Sequence, residues 1–169
     1  MVNKRNNLIL CLLICILQLS GCYSFRGGSL PEHIKTVQIR NVIDNSNYGD
    51  PSYKEYLFNK VNEVIRRDNS LTIETKPADS KLTIVLNSIR EEVLSTTASS
   101  GLEKERKIVV SVSFEFYDNT KKQVIATNQA LSMNQSFMIS SLPASRVEAI
   151  NKCLEIISDE ILNNMIAGA

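Results

Sequence analysis

The residues able to do covalent or metal chemistry are few and scattered. His33 is the sole histidine, and the four cysteines are Cys11, Cys15, Cys22 and Cys153. A zinc site needs several nitrogen and sulfur ligands that converge, and a thiol nucleophile needs a base beside it. No histidine lies near Cys153 in sequence, so it reads as a small buried hydrophobe on a helix. His33 follows Pro31 in a linker-like stretch and reads as a solvated side chain. The carboxylates Glu91-Glu92 and Asp159-Glu160 are adjacent pairs whose side chains diverge. Glu103 and Glu105 share a strand face, but Lys104, Arg106 and Lys107 surround them, which makes a solvated charged rim. No phosphate loop or nucleophile motif occurs. The expectation is a protein that is not an enzyme, with no metal and no dissociable cofactor. Two basic clusters remain that can meet the phosphates of an anionic ligand. One is Lys104, Arg106 and Lys107, with Arg90 close by if the preceding strand folds back as a hairpin; the other is Lys121-Lys122 at a turn. Ordinary surface charge is the competing reading for both.

The chemistry of Cys22 comes from its setting. Lys4 and Arg5 open the chain, and Leu8 to Leu17 is an unbroken apolar run of ten residues. As a helix such a run rises about 15 Å, half of a bilayer core of about 30 Å. It therefore reads as the central part of an export signal and not as a membrane span. An ordinary signal closes on a small-x-small cleavage site. This one closes on Leu19-Ser20-Gly21-Cys22, which resembles a bacterial lipobox. The resemblance implies that Cys22 carries a diacylglycerol on sulfur, that the chain is cut before it and that the new amino group is acylated. A plain secretory signal with an incidental cysteine is the alternative. Tyr23, not aspartate, follows Cys22, and no acidic run comes after it. By resemblance to lipoprotein sorting rules this permits transfer to the outer membrane, with the protein facing the periplasm.

The expected organisation is a signal peptide over residues 1–21, a lipidated tether over 22–33 and a single domain over 34–169. The mature chain, Cys22 to Ala169, has 148 residues, enough for one core of its own. Loss of the signal removes Lys4 and Arg5 and no acid, leaving 17 basic residues against 18 acidic ones and a net charge of −1. That balance gives no long-range reason to bind nucleic acid. With Cys22 lipidated, Cys153 has no partner for an internal disulfide.

The elements follow from periodicity. Lys35 to Arg40 alternates as a half-buried strand, and Asn41 to Pro51 is a loop. A helix starts near Ser52, a plausible N-cap, and lines up Tyr53, Tyr56, Leu57, Val61, Val64 and Ile65 on one face. Leu71 to Thr75 is a short strand. Lys81 to Val93 puts Leu82, Ile84 and Leu86 on one side, and Arg106 to Tyr117 puts Ile108, Val110, Val112, Phe114 and Phe116 on one side with strict period two. A polar loop, Ser95 to Gly101, separates them, and Asp118-Asn119-Thr120 turns into a weaker strand, Gln123 to about Phe137. From Leu142-Pro143-Ala144 a last helix steps through Val147, Ile150, Leu154, Ile157, Ile161 and Met165 to Gly168. The fold class is α/β in the α+β sense: two amphipathic helices packed on one face of a mostly antiparallel four- to five-stranded sheet. The other face carries Lys107, Val109, Ser111, Ser113, Glu115 and Tyr117 and is mostly polar.

The run from Cys22 to Pro31, followed by Ile34-Lys35-Thr36-Val37-Gln38-Ile39, resembles the opening of the LptE-like lipopolysaccharide-assembly lipoproteins. The likeness continues through Asn69-Ser70-Leu71-Thr72, Ala78-Asp79-Ser80-Lys81-Leu82, the strand Ile108 to Phe116 and the closing amphipathic helix, and so covers nearly the whole mature chain. The resemblance implies a small sandwich of two helices on a sheet. It also implies a plug and assembly partner inside an LptD-like β-barrel that delivers lipopolysaccharide to the outer leaflet, with contact to lipopolysaccharide itself. The alternatives are another periplasm-facing lipoprotein, such as a secretin pilotin or a wall-synthase activator, and a lipid-anchored hydrolase, which the missing catalytic constellation disfavours. Cys22→Ala is expected to abolish lipid labelling and leave uncleaved or mislocalised protein, because acyl chains contribute about 0.8 kcal/mol per buried methylene to anchoring. Normal membrane retention of this variant after a high-salt wash would count against the lipobox.

Overall fold

In the computed structural model residues 30–75, 77–96, 103–139 and 143–168 are described. The expected signal peptide, Cys22 and most of the tether lie outside these residues. In chain order the elements are β1 (Thr36–Ile39), β2 (Ile43–Asp44), α1 (Ser52–Asp68), β3 (Thr72–Ile73), β4 (Ser80–Thr96), β5 (Glu103–Asp118), β6 (Gln123–Met138) and α2 (Ala144–Ala167). The sheet order is β3-β1-β4-β5-β6, with β2 also on β4. The long ladders β4–β5 and β5–β6 are antiparallel, the expected meander. β1 and β2 lie end to end along β4, on Ser80–Leu82 and on Val85–Leu86, and both are parallel to it, as β3 is to β1. The sheet thus has six strands and a parallel side. β1 and β3 fall within the strands expected at Lys35–Arg40 and Leu71–Thr75. β2 lies in the expected loop Asn41 to Pro51. Neither β2 nor the parallel pairing was legible, because two residues hold no alternation and parallel pairing joins segments distant in sequence. The part of the expected loop at Ser95 and Thr96 belongs to β4, and the rest of it lies outside the described residues.

β5 keeps its alternation without interruption, and Ile108, Val110, Val112, Phe114 and Phe116 are all buried against the helices. Both neighbours break theirs. On β4 the register steps between Leu86 and Ser88, so Asn87 is an extra residue. Before it the even positions Leu82, Ile84 and Leu86 are buried; after it Ile89 is. On β6 the register steps opposite Ser113, between Asn128 and Leu131, so the inward set changes from Ala126 to Leu131 and Phe137. Each bulge moves the following side chains to the opposite face. This explains why β6 shows so weak a period in sequence.

The helices cover the apolar face. α1 buries Tyr53, Leu57, Val61, Val64 and Ile65, as its periodicity predicts. Its start differs from expectation: Pro51 occupies the cap position without a side-chain bond, and the Ser52 N–H donates to Asp50 Oδ1 at 2.9 Å. Asn69, in the left-handed region at φ 60°, ends it. α2 buries Ile150, Cys153, Leu154, Ile157, Ile161 and Met165, but Val147 is 43% exposed. The first turn meets the sheet through Ser145 and Arg146 instead, so helical spacing alone misplaces Val147. The two helices are joined by Tyr56, whose hydroxyl donates to Glu155 Oε1 at 2.8 Å, and by Arg67 Nη2 to Asp159 Oδ1 at 2.7 Å. Gly168 closes α2 where a Cβ would come within 2.9 Å of Ala126 Cβ, so glycine lets the helix end press on β6. Among the described residues no helix is long and apolar enough to cross a membrane.

Phe114 lies inside this layer at 2% exposure. Phe114→Ala is expected to cost about 3–5 kcal/mol, a large share of a domain's stability. A melting temperature unchanged within error would contradict this packing.

Candidate functional site

The fold leaves the helix-free face of the sheet open. Lys107, Val109, Ser111, Ser113 and Tyr117 of β5 are half-buried on it and Glu115 is exposed. Register sets Ser111 opposite Ser132 of β6, and Glu115 between Thr83 and Thr127. The hydroxyls are partly used within the sheet, with Ser113 Oγ donating to Asn87 Oδ1 at 3.2 Å and Ser132 Oγ to the Val110 carbonyl at 3.3 Å. This face adjoins β6, whose outer side pairs with no strand among the described residues. From Gln123 to Met138 β6 has no charged residue, no proline and no glycine. Edge strands are usually guarded by such residues or by a covering element. A long uncharged edge, rich in Asn and Gln, is therefore suited to lie against a partner.

The structure divides the first basic cluster between the two faces. Lys107 points to the open face, where its Nζ lies 2.9 Å from Glu92 Oε2. Arg90, opposite Val109, is exposed on the same face one step away, as the hairpin reading requires. Arg106 is opposite Val93 and Phe137 on the helix side, and its Nη1 donates to Glu91 Oε1 at 2.8 Å. Lys104 sits one residue into β5, and its side chain lies outside the described ones. Arg146, in the first turn of α2, also reaches Glu91: its Nε stands 3.1 Å from Oε2 without hydrogen-bond alignment, and its Nη2 lies 3.5 Å from Oε1. This junction was invisible in sequence. Fifty-five residues separate Arg146 from Glu91, and the β4 bulge decides that Glu91 faces the helices. Beside it a groove of about 1040 Å³ opens between α2 and the second half of β6, lined by Tyr56, Phe137, Met138, Val147, Lys152 and Glu155 among others. Exposed Val93, Leu94, Met138 and Val147 give this end of the molecule an apolar rim.

The opposite end is a polar lock. Asp79 Oδ2 accepts from the backbone N–H of Lys35 and Thr36 and from the Thr36 hydroxyl, and the Asp79 N–H returns a bond to Thr36 Oγ1. These bonds hold its carboxyl below the usual aspartate range. His33 was expected to be solvated. Instead its Nε2 lies 2.7 Å from Oδ2 of Asp118, which has no exposed side-chain surface. Oδ1 of Asp118 accepts from the N–H groups of Thr120 at 2.7 Å and Lys121 at 2.9 Å. Burial alone would raise the Asp118 pKa, but the bonds from Lys121, His33 and Thr120 outweigh it and the pKa is lowered. Lys121 and Lys122 are exposed at this turn, Lys122 at φ 55°. Cys153 is fully buried and its thiol is pushed up to about 11 by burial, so it packs as a hydrophobe. Among the described residues no group of three His, Cys, Asp or Glu side chains is placed to hold a metal ion.

The family model LptE, described as lipopolysaccharide-assembly, matches residues 34–165. No curated protein sequence matches the chain. Among solved structures, uncharacterized lipoprotein B of Nitrosomonas europaea superposes with a TM-score of 0.60 at 18% identity, covering 86% of this chain and 90% of that one. Rare lipoprotein B of Shewanella oneidensis gives 0.52 at 17% identity over 76% of this chain and 92% of that one. PelC of Paraburkholderia phytofirmans, a dodecamer, gives 0.51 at 13% identity over 83% and 94%. At such identities the likeness to these structures is one of fold.

The lock gives a pH dependence with a definite sign. Asp79 and Asp118 have lowered pKa values in the folded chain. Their stabilisation is present above the unfolded aspartate value of about 3.9 and is lost as pH falls through the lower folded values. Asp118→Asn is expected to lower the melting temperature at neutral pH, and the wild-type and variant curves should converge below about pH 4. A gap that persists unchanged well below that pH, after the wild-type carboxyl has taken up its proton, would show that the charge on Asp118 is not what matters.

Proposed function

Since the chain belongs to the LptE family of lipopolysaccharide-assembly proteins, we propose that it is an outer-membrane lipoprotein that plugs and helps assemble an LptD-type β-barrel translocon, delivering lipopolysaccharide to the outer leaflet. In this reading Cys22 carries the lipid anchor, and that covalent lipid is the one non-protein group the chain holds. Its role is assembly and not catalysis. The observation that carries the reading is the continuous polar surface formed by the open sheet face and the uncharged β6 edge. Wide barrels have polar, water-filled interiors. A domain with such a wall can fill one without burying unpaired charge, and the barrel wall would cover the edge that the fold leaves bare. Arg90 and Lys107 on that face, Lys104 and Arg106 from the same end of β5, Arg106 on its helix side, and Lys121-Lys122 at the turn are the candidate contacts for lipopolysaccharide phosphates.

Depletion of the protein is expected to lower both surface lipopolysaccharide and the folded barrel and to raise permeability to bulky apolar antibiotics. If lipopolysaccharide and barrel both stay at wild-type levels, the reading fails, and a pilotin or synthase activator takes its place. Single substitutions on a broad polar contact should be tolerated. Ser111→Glu combined with Ser113→Glu should weaken co-purification of the barrel, because two new carboxylates would be desolvated without partners. Undiminished co-purification would exclude the open face as the contact.

A further inference from the structure

The polar lock fixes which end of the domain faces its anchor. His33, at the exit of the tether, is held to Asp118, and Asp118 in turn holds the backbone of Thr120 and Lys121. The β5–β6 turn is therefore bound directly to the point where the chain leaves for Cys22. From Cys22 to Leu30 the chain spans at most about 29 Å in any conformation. β5 has 16 residues, and its far end lies about 50 Å from the turn. Standing the domain on its far end would require the tether to climb further than it can reach. Two arrangements remain for the anchored chain, one with the turn toward the bilayer and one lying on its side.

Charge separates the two. At the tether end Lys35, Lys121 and Lys122 are exposed with no carboxylate at ion-pair distance among the described residues. The Asp79 and Asp118 carboxylates there are turned inward onto N–H donors. The exposed acids of this end are Glu32, Asp68 at the close of α1 and Glu74 after β3, away from the β5–β6 turn itself. At the far end Lys107 is paired with Glu92, and Arg106 and Arg146 share Glu91, while Arg90, opposite Val109, stays exposed on the open face. Cations close to an anionic bilayer are attracted to it within a Debye length. We propose that the anchored chain, before it meets its barrel, stands on the bilayer with the β5–β6 turn down and Lys121 and Lys122 on phospholipid phosphates. The sheet axis then runs along the membrane normal, as a barrel axis does, and the open face and β6 edge project upright for capture. The proposal rests on the lipid attachment of Cys22 argued above.

The test uses the full lipidated chain in vesicles of phosphatidylethanolamine and phosphatidylglycerol that carry a headgroup-bound quencher. A fluorophore is placed at Thr120→Cys on the turn or at Leu94→Cys at the far end. Cys153 is buried and stays unlabelled. Quenching is expected to be several-fold stronger at the turn. The difference should shrink in phosphatidylcholine vesicles and with Lys121→Glu plus Lys122→Glu, two exposed changes whose melting temperature is checked alongside. Equal quenching at both ends, a difference untouched by charge reversal, or one that appears only with added lipopolysaccharide would each overturn the proposal. The anchor is read separately by mass: a chain without the diacylglycerol overturns the anchoring reading and the length argument with it.

Discussion

The burial of one face of β5 is the constraint on which the rest of the structure depends. Ile108, Val110, Val112, Phe114 and Phe116 sit in a row between the sheet and two helices, each at most 2% exposed. Burying such side chains contributes about 1.5–3 kcal/mol apiece, so the layer they define cannot shift by one residue without exposing all of them. The neighbouring strands adapt to it. Asn87 on β4 and the residues between Asn128 and Leu131 on β6 are taken up as bulges at nearly the same level, one on each side of β5. Beyond the bulges both strands again present apolar residues inward, and α2 can cover them along its whole length.

The two ends of this layer are closed by polar groups in different ways. At one end buried or half-buried aspartates accept bonds from backbone N–H groups that would otherwise lack partners, and they join three distant segments: the residues before β1, the start of β4 and the β5–β6 turn. A buried carboxylate is tolerable under those conditions because its charge is solvated by fixed dipoles. At the other end a single carboxylate, Glu91, is shared by guanidinium groups from β5 and α2, which ties the helix start to the hairpin. The core between them contains little that is polar. Ser158, in the middle of α2, is satisfied by the Leu154 carbonyl at 2.7 Å.

This division of surfaces suits the contact role proposed above. The helix side is closed, and its one thiol is inert. The sheet side and the β6 edge are open, polar and uncharged along the edge. The groove at the start of α2 adds a partly apolar recess at the end away from the tether. For a member of a lipopolysaccharide-assembly family, the usable properties of the chain are which surface is left uncovered and how that surface is oriented.

Much of this was legible in the sequence. Strict alternation from Ile108 to Phe116 identified β5 and its buried face, and three- and four-residue spacing identified both helices, because each pattern is the direct imprint of one apolar face on a regular backbone. The family likeness was carried by the run Cys22 to Pro31 and by the residues from Ile34 onward, and the family model matches residues 34–165. Three things were decided by the tertiary structure. The strand β2, two residues long, has no period of its own, and the parallel pairing of β1, β2 and β3 joins segments that local pattern cannot connect. The bulges reversed the parity of β4 and β6 halfway, which sent Glu91 to the helix side, where it meets Arg106. His33, which looked solvated beside Pro31, is fixed by Asp118, 85 residues away. Local pattern reports a face only while the register is unbroken; once a bulge or a distant partner intervenes, only the folded chain determines where a side chain points.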